Sequence, residues 1–196
     1  VHMNTVDLYM TPGYGSPTVC EADGTLRPAM FDDFLKLATI VQESEEFSIN
    51  GGILAQPSDI EAEISAEVMV YATLCRSDKA LFSVCGGKEQ AENIMKMMKI
   101  IFGEDLTETP CTFNLISPLS PLGVTKNTID TMDVCARNGQ PLVIAPGNMA
   151  GATGPISVAG NVSEANAEFL GLNVYAQMVR PGTPIIYGFA STVSDM

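Results

Sequence analysis

Ala80-Leu-Phe-Ser-Val-Cys-Gly-Gly-Lys-Glu-Gln-Ala-Glu-Asn-Ile-Met-Lys-Met-Met-Lys-Ile-Ile-Phe-Gly103 decides the fold class. Its first six residues form a short apolar run of the kind that is buried on both faces as a strand. From Lys88 the period changes. Ile94, Met95, Met98 and Ile101 recur at helical spacing up to Phe102, and Gly103 stops the helix. A buried strand feeding an amphipathic helix is half of a parallel crossover unit, and the same beat lies on either side. Upstream, residues 47–54 read as a strand, and Ser58-Asp-Ile-Glu61 forms a capping box that opens a helix ending near Cys75. Downstream, strand 112–117 leads into a helix from about Gly123 to Asn138, closed by Gly139. Strand 141–145 leads through a loop into a helix from about Ser163 to Val179, and strand 183–189 ends the series.

Residues 1–30 differ. Pro12-Gly13, Gly15-Ser-Pro17 and Asp23-Gly24 punctuate short β-prone runs, which predicts a hairpin-bearing entry segment. A helix follows from Phe31 to about Gln42, with Phe31, Phe34, Leu35, Ala38 and Val41 on one face and Asp32 and Asp33 at its positive end. Strands that alternate with helices are parallel and joined by right-handed crossovers. Two architectures satisfy the pattern: a doubly wound open sheet, or part of a (β/α)₈ barrel. Residues 1–196 are expected to form a single domain.

The chain has 196 residues, 46% of them hydrophobic, enough for a substantial core. Its net charge of -13 argues against nucleic acid, because phosphate binding needs clustered Lys and Arg. An acidic surface is ordinarily only a solvated face; the alternative is a docking surface for a basic or cationic partner. Cys20, Cys75, Cys85, Cys111 and Cys135 are widely spaced and odd in number, which fits a reduced cytoplasm. The single histidine, His2, and the absence of CxxC spacing predict no bound metal. No apolar run is long enough to span a membrane, and no basic-then-apolar signal opens the chain. Val1 stands where a methionine would begin, and Ser194-Asp-Met196 follows a strand without a closing helix, so both ends read as cuts. An interior piece of this kind would bare its edge strands and self-associate.

The loop Ala145-Pro-Gly-Asn-Met-Ala-Gly-Ala-Thr-Gly-Pro155 carries no charge and offers backbone N–H groups at the carboxyl end of a strand, where ligands bind. Gly147, Gly151 and Gly154 lack dinucleotide spacing, and no GK[ST] follows, so a nucleotide is disfavoured. Asn114 and Ser117 fall at the end of the third strand, where they serve either a site or the packing, and Tyr187 and Phe189 share a face of the fifth, which more often means core filling but would also stack a cation. Gly51-Gly52 and Gly86-Gly87 suit tight packing, and Met95, Met97 and Met98 suit core filling. No Ser-His-Asp or Cys-His set can be assembled, and no acid or base singles itself out as catalytic.

Residues 146–160, Pro-Gly-Asn-Met-Ala-Gly-Ala-Thr-Gly-Pro-Ile-Ser-Val-Ala-Gly, together with Asn166-Ala-Glu-Phe-Leu170 and Pro181-Gly-Thr-Pro-Ile-Ile-Tyr-Gly188, resemble the trimethylamine methyltransferase family. Gly13-Tyr-Gly-Ser-Pro17, Asp23-Gly24, Arg27-Pro28, Gly51-Gly52 and Pro57-Ser-Asp-Ile60 match its early pattern in the same order. The resemblance implies a TIM (β/α)₈ barrel, of which this chain would hold about five βα units behind the hairpin segment. It also implies transfer of a methyl group from a methylated or quaternary amine to the Co(I) corrinoid of a partner protein, in an anaerobe's one-carbon metabolism or methanogenesis. No cofactor would be bound directly. Met149-Ala-Gly-Ala-Thr-Gly-Pro155 looks nearer to the glycine betaine members than to the pyrrolysine-bearing ones that use trimethylamine, and the pyrrolysine position lies beyond Met196. Carried over by motif, Asn114, Ser117, Met149, Gly151, Thr153, Tyr187 and Phe189 line the substrate cavity, with Gln56 and Tyr14 at its rim. The competing expectations are a barrel of this family that binds a quaternary amine without turnover, as a sensor or truncated remnant, and an unrelated open-sheet protein.

Overall fold

The computed structural model describes residues 8–13, 15–84 and 86–193. The chain divides into two compact units, Val1–Val84 and Cys85–Met196.

The first unit opens with the expected hairpin, β1 (Thr18–Cys20) and β2 (Leu26–Pro28), which pair antiparallel. Its turn is closed by Gly24 N–H donating to Glu21 O at 2.9 Å and Thr25 N–H donating to the Asp23 carboxylate at 2.9 Å. Helix α1 (Phe31–Glu43), strand β3 (Ile49–Gly51), helix α2 (Ser65–Leu74) and strand β4 (Ala80–Ser83) follow. Strands β3 and β4 run parallel, with Ile49 opposite Ala80. Phe34, Ala38 and Val41 of α1 pack with Leu54, Ala55, Met69 and Ala72 in one buried cluster, which is the face that the helical spacing predicts. Asn50, in the middle of β3, is fully buried; its Nδ2 donates to Ala38 O at 3.0 Å and its Oδ1 accepts from Gly51 N–H at 2.8 Å.

Ser58-Asp-Ile-Glu61 does not open α2, which begins at Ser65 after Ile64 without any side-chain cap. Instead Ser58 donates through both N–H and Oγ to Ala29 O, and Asp59 Oδ1 accepts from Phe31 N–H at 2.8 Å. The motif therefore satisfies an orphan donor in the first turn of α1, nearly thirty residues away, rather than one of its own helix. Asp33 serves the same helix start by accepting from Met30 N–H and from Arg27 in a forked pair.

The second unit contains α3 (Lys88–Phe102), β5 (Thr112–Ile116), α4 (Lys126–Arg137), β6 (Leu142–Ile144), β7 (Met149–Ala150), α5 (Val158–Val179), β8 (Ile185–Tyr187) and β9 (Thr192–Val193). Strands β5, β6 and β8 lie side by side in chain order, all parallel. Helix α3 has the predicted bounds and buries Ala91, Ile94, Met95 and Met98, but Ile101 is half exposed and leaves the stripe. Helices α4 and α5 start elsewhere than expected. Thr125 caps α4 by accepting from Thr128 N–H, and Ser157 caps α5 by accepting from Gly160 N–H, so that α5 begins at Val158, five residues before the predicted start. The pair β7 and β9 is parallel and two residues each; β7 lies in the segment expected to be loop, and β9 lies past the bounds expected for the last strand.

Alternation along these strands separates two faces. Thr112, Asn114, Ile116, Leu142 and Ile144 are all buried, and Tyr187 continues their face. Phe169 of α5 meets the Tyr187 ring edge-on at 4.3 Å, which marks this as the helix-covered side. Phe113, Leu115, Val143 and Ile186 form the opposite face and are only half buried. The α/β class and the parallel pairing agree with the sequence reading; every strand is shorter than predicted.

Candidate functional site

The carboxyl ends of β5, β6 and β8 are stitched together just beyond the regular ladder. Ala145 N–H donates to Ile116 O at 2.9 Å, Gly188 N–H to Ile144 O at 2.8 Å and Ala190 N–H to Pro146 O at 2.9 Å. Gly188 permits this closeness: a Cβ there would stand 2.8 Å from Ala145 Cβ. The loops after the three strands therefore emerge together, in the position where α/β proteins place their ligands.

The glycine-rich loop after β6 is a built turn. Thr153 and Gly154 N–H both donate to Met149 O at 3.0 Å, Gly151 N–H donates to Gly154 O, and Met149 N–H donates to Thr153 Oγ1 at 2.9 Å. Below it, fully buried Asn148 donates through Nδ2 to Asn161 O at 2.8 Å and to Asn161 Oδ1 at 2.7 Å, while its Oδ1 accepts from Ser191 Oγ. One amide thus ties the loop to the first turns of α5 and to the segment after β8. Gly154 lies against the same group, since a Cβ there would come 2.3 Å from Asn161 Oδ1. The loop is uncharged, and its turn places small side chains and backbone outward: Met149, Gly151 and Ala152 are exposed.

The residues expected to line a cavity divide by location. Met149, Gly151 and Thr153 share the turn just described, Ser117 is exposed one residue past β5, and Phe189 is exposed two residues past β8. Tyr187 is about half exposed but leans on Phe169. Asn114 is completely buried on the helix-covered face, so its amide stands behind the sheet rather than at its open end. Gln56 is exposed in the first unit, where its N–H donates to Ser16 O; Tyr14 lies outside the described residues. Missed at the sequence level were Asn148, Asn161 and Glu168, polar residues that look like surface positions until the fold buries them. The one available signal was the placement of Asn161 and Glu168 seven apart in a helix otherwise rich in apolar residues.

A groove of about 300 Å³ runs beside these loops, lined by Pro118, Leu122, Val124, Glu168, Gly171 and Tyr175. Burial raises the Tyr175 phenol, with the Asp133 carboxylate adding to the shift. Among the described residues no group of three or more His, Cys, Asp or Glu side chains is arranged to hold a metal ion. No helix among them is long and apolar enough to cross a membrane.

The family model described as trimethylamine methyltransferase (MTTB) matches residues 1–196. The chain belongs to the trimethylamine methyltransferase family. Among characterised members it is 36% identical to the glycine betaine methyltransferase of Desulfitobacterium hafniense (strain Y51), over 97% of this chain and 40% of that protein. It is 26% identical to the proline betaine:corrinoid methyltransferase of Eubacterium limosum, over 93% of this chain and 40% of that protein. A trimethylamine methyltransferase of Desulfitobacterium hafniense (strain DSM 10664 / DCB-2) is 29% identical over 71% of this chain and 29% of that protein. The chain thus spans about 40% of the length of the first two relatives.

Proposed function

We propose that this chain forms consecutive βα units of a (β/α)₈ barrel in a methyltransferase that moves a methyl group from a quaternary amine of the glycine betaine class to the corrinoid of a partner protein. The family match over the whole chain carries this reading, and the relatives whose printed substrates are betaines support the donor class. The corrinoid belongs to the partner and supplies the cobalt nucleophile that takes the methyl group. This chain's part is to bind and orient the amine and to keep water away. Ser117, Met149, Gly151, Thr153 and Phe189 are the lining residues we favour, because they stand on three loops drawn together by the bonds from Ala145, Gly188 and Ala190. A quaternary ammonium has no N–H to donate; it is held by ring faces and by polarised methyl contacts to oxygen, which Phe189, Thr153 and backbone carbonyls supply. Tyr187 and Asn114 act from behind this wall. We place the protein in the cytoplasm on its widely spaced, odd-numbered cysteines.

The test uses the complete protein that carries this chain, a Co(I) corrinoid protein and glycine betaine. Methyl-cobalamin absorbance appearing only with all three supports the reading. Betaine binding by calorimetry without methylation would turn it into the binding-only alternative, and neither binding nor transfer of any betaine or methylamine would sink it.

A further inference from the structure

Glu168 is a buried carboxylate that no substrate-loop bond uses. It faces inward from the middle of α5 with 6% of its surface exposed. Its Oε2 accepts from Ser120 Oγ at 2.9 Å and its Oε1 from Leu122 N–H at 2.7 Å. Among the described residues no lysine or arginine pairs with it. Burying a carboxylate with only neutral donors is costly, so the segment that supplies those donors is held for a reason or the cost is wasted. That segment is itself strained: Leu122 has a φ of 52°, in the left-handed region that leucine avoids. It is also closed on itself, Leu119 N–H donating to Gly123 O at 2.8 Å and Gly123 N–H to Leu119 O at 2.9 Å. It begins at Ser117-Pro118, directly at the end of β5.

We propose that Glu168 is a positioning residue: its carboxylate clamps the tip of the 119–123 turn and so fixes Ser117 and the mouth of β5 against the amine. The clamp stands on the geometry above; its part in methyl transfer rests on the methyltransferase reading. Asn161 and Glu168 lie seven residues, or two turns, apart, so one face of α5 holds the loop after β6 through Asn161 and the loop after β5 through Glu168. Glu168 touches no reacting atom in this scheme. It acts by denying the turn an alternative shape.

The experiment compares Glu168→Ala, Glu168→Gln and, as a control for lost stability alone, Met132→Ala, a core change on α4 outside the clamp. Backbone hydrogen exchange is followed in all three, with steady-state methyl transfer in the complete protein well below each melting point. The expected result is faster exchange confined to 119–123 in Glu168→Ala, with kcat down about 100-fold, the scale of an ångström's misplacement, and KM changed less. Glu168→Gln keeps an acceptor for Leu122 and can donate to Ser120 Oγ, so it recovers most of the loss. Uniformly faster exchange, or equal losses in Glu168→Ala and Met132→Ala, overturns the proposal. If the unmutated protein transfers no methyl group, the role in that reaction falls, and the exchange result alone decides the clamp.

Discussion

At the scale of single residues, Gln140 shows how one side chain organises a strand end. Completely buried, it accepts through Oε1 from Cys111 N–H at 3.0 Å and donates through Nε2 to Leu106 O and Asn138 O, both at 2.9 Å. Gln140→Leu keeps the bulk and strands these groups, which should cost about 3 kcal/mol or more, read from denaturant midpoints at unchanged m. The neighbouring thiol reports the same burial. Desolvation pushes Cys111 up to about 11, so at pH 8.5 iodoacetamide should label exposed Cys20 and Cys75 well before Cys111. Because the unfolded chain loses that proton near pH 8.5, stability should fall as pH rises from there towards 11. Early labelling of Cys111 in the folded protein would contradict this packing. Nothing in the sequence distinguishes Gln140 or Asn148 from a solvated polar residue, because their burial follows from which strands meet. The turn that holds Met149, Gly151 and Thr153 is visible for the opposite reason, since an uncharged run of glycines and prolines announces a loop without any fold.

At the scale of elements, the strands and helices were read from local period alone, and their order survives; what failed were starting points. Ser58 and Asp59 have the composition of a helix cap, yet Asp59 accepts from Phe31 N–H at the start of α1 and Ser58 donates to Ala29 O just before it. Asp59→Ala should therefore destabilise α1 rather than α2, by about 1 kcal/mol, with faster amide exchange beginning at Phe31. Loss of protection in 65–74 instead would restore the local reading. The early start of α5 was hidden because Gly160 and Pro155 disguise Ser157 as loop. Alternation tells which residues share a side but not which side the helices cover. The buried face of Asn114 is identified as the helix side only by Phe169 packing on Tyr187.

For the whole molecule, charge and core pull in different directions. A net charge of -13 on 196 residues makes the compact state self-repelling at neutral pH, so moderate salt should raise the melting temperature. Mild acid should do the same at first. The Arg27 guanidinium, with Met30 N–H, holds the Asp33 carboxyl well below the usual carboxylate range. Its contribution is complete above the unfolded value near 3.9 and is lost as pH falls towards the folded one, so the gain should reverse below about pH 4. A melting temperature that rises monotonically to pH 2 would count against the Arg27 clamp. Phe34, wholly buried among Ala38, Leu54 and Met69, anchors the first unit. Phe34→Ala should cost about 3–5 kcal/mol, seen as loss of protection in α1 and α2.

Asn50-Gly51 has a bearing on how the protein ages. An asparagine followed by glycine ordinarily cyclises, when the glycine nitrogen attacks the side-chain carbonyl, and opens to aspartate or its β-linked isomer. Here the Asn50 amide is sealed from water and anchored through Nδ2 to Ala38 O, while Gly51 N–H donates to Oδ1, so the ring closure needs these bonds to open first. On storage, isoaspartate should accumulate in the exposed or unfolded chain and spare this peptide bond in the native one, making Asn50 a slow clock for how often β3 opens.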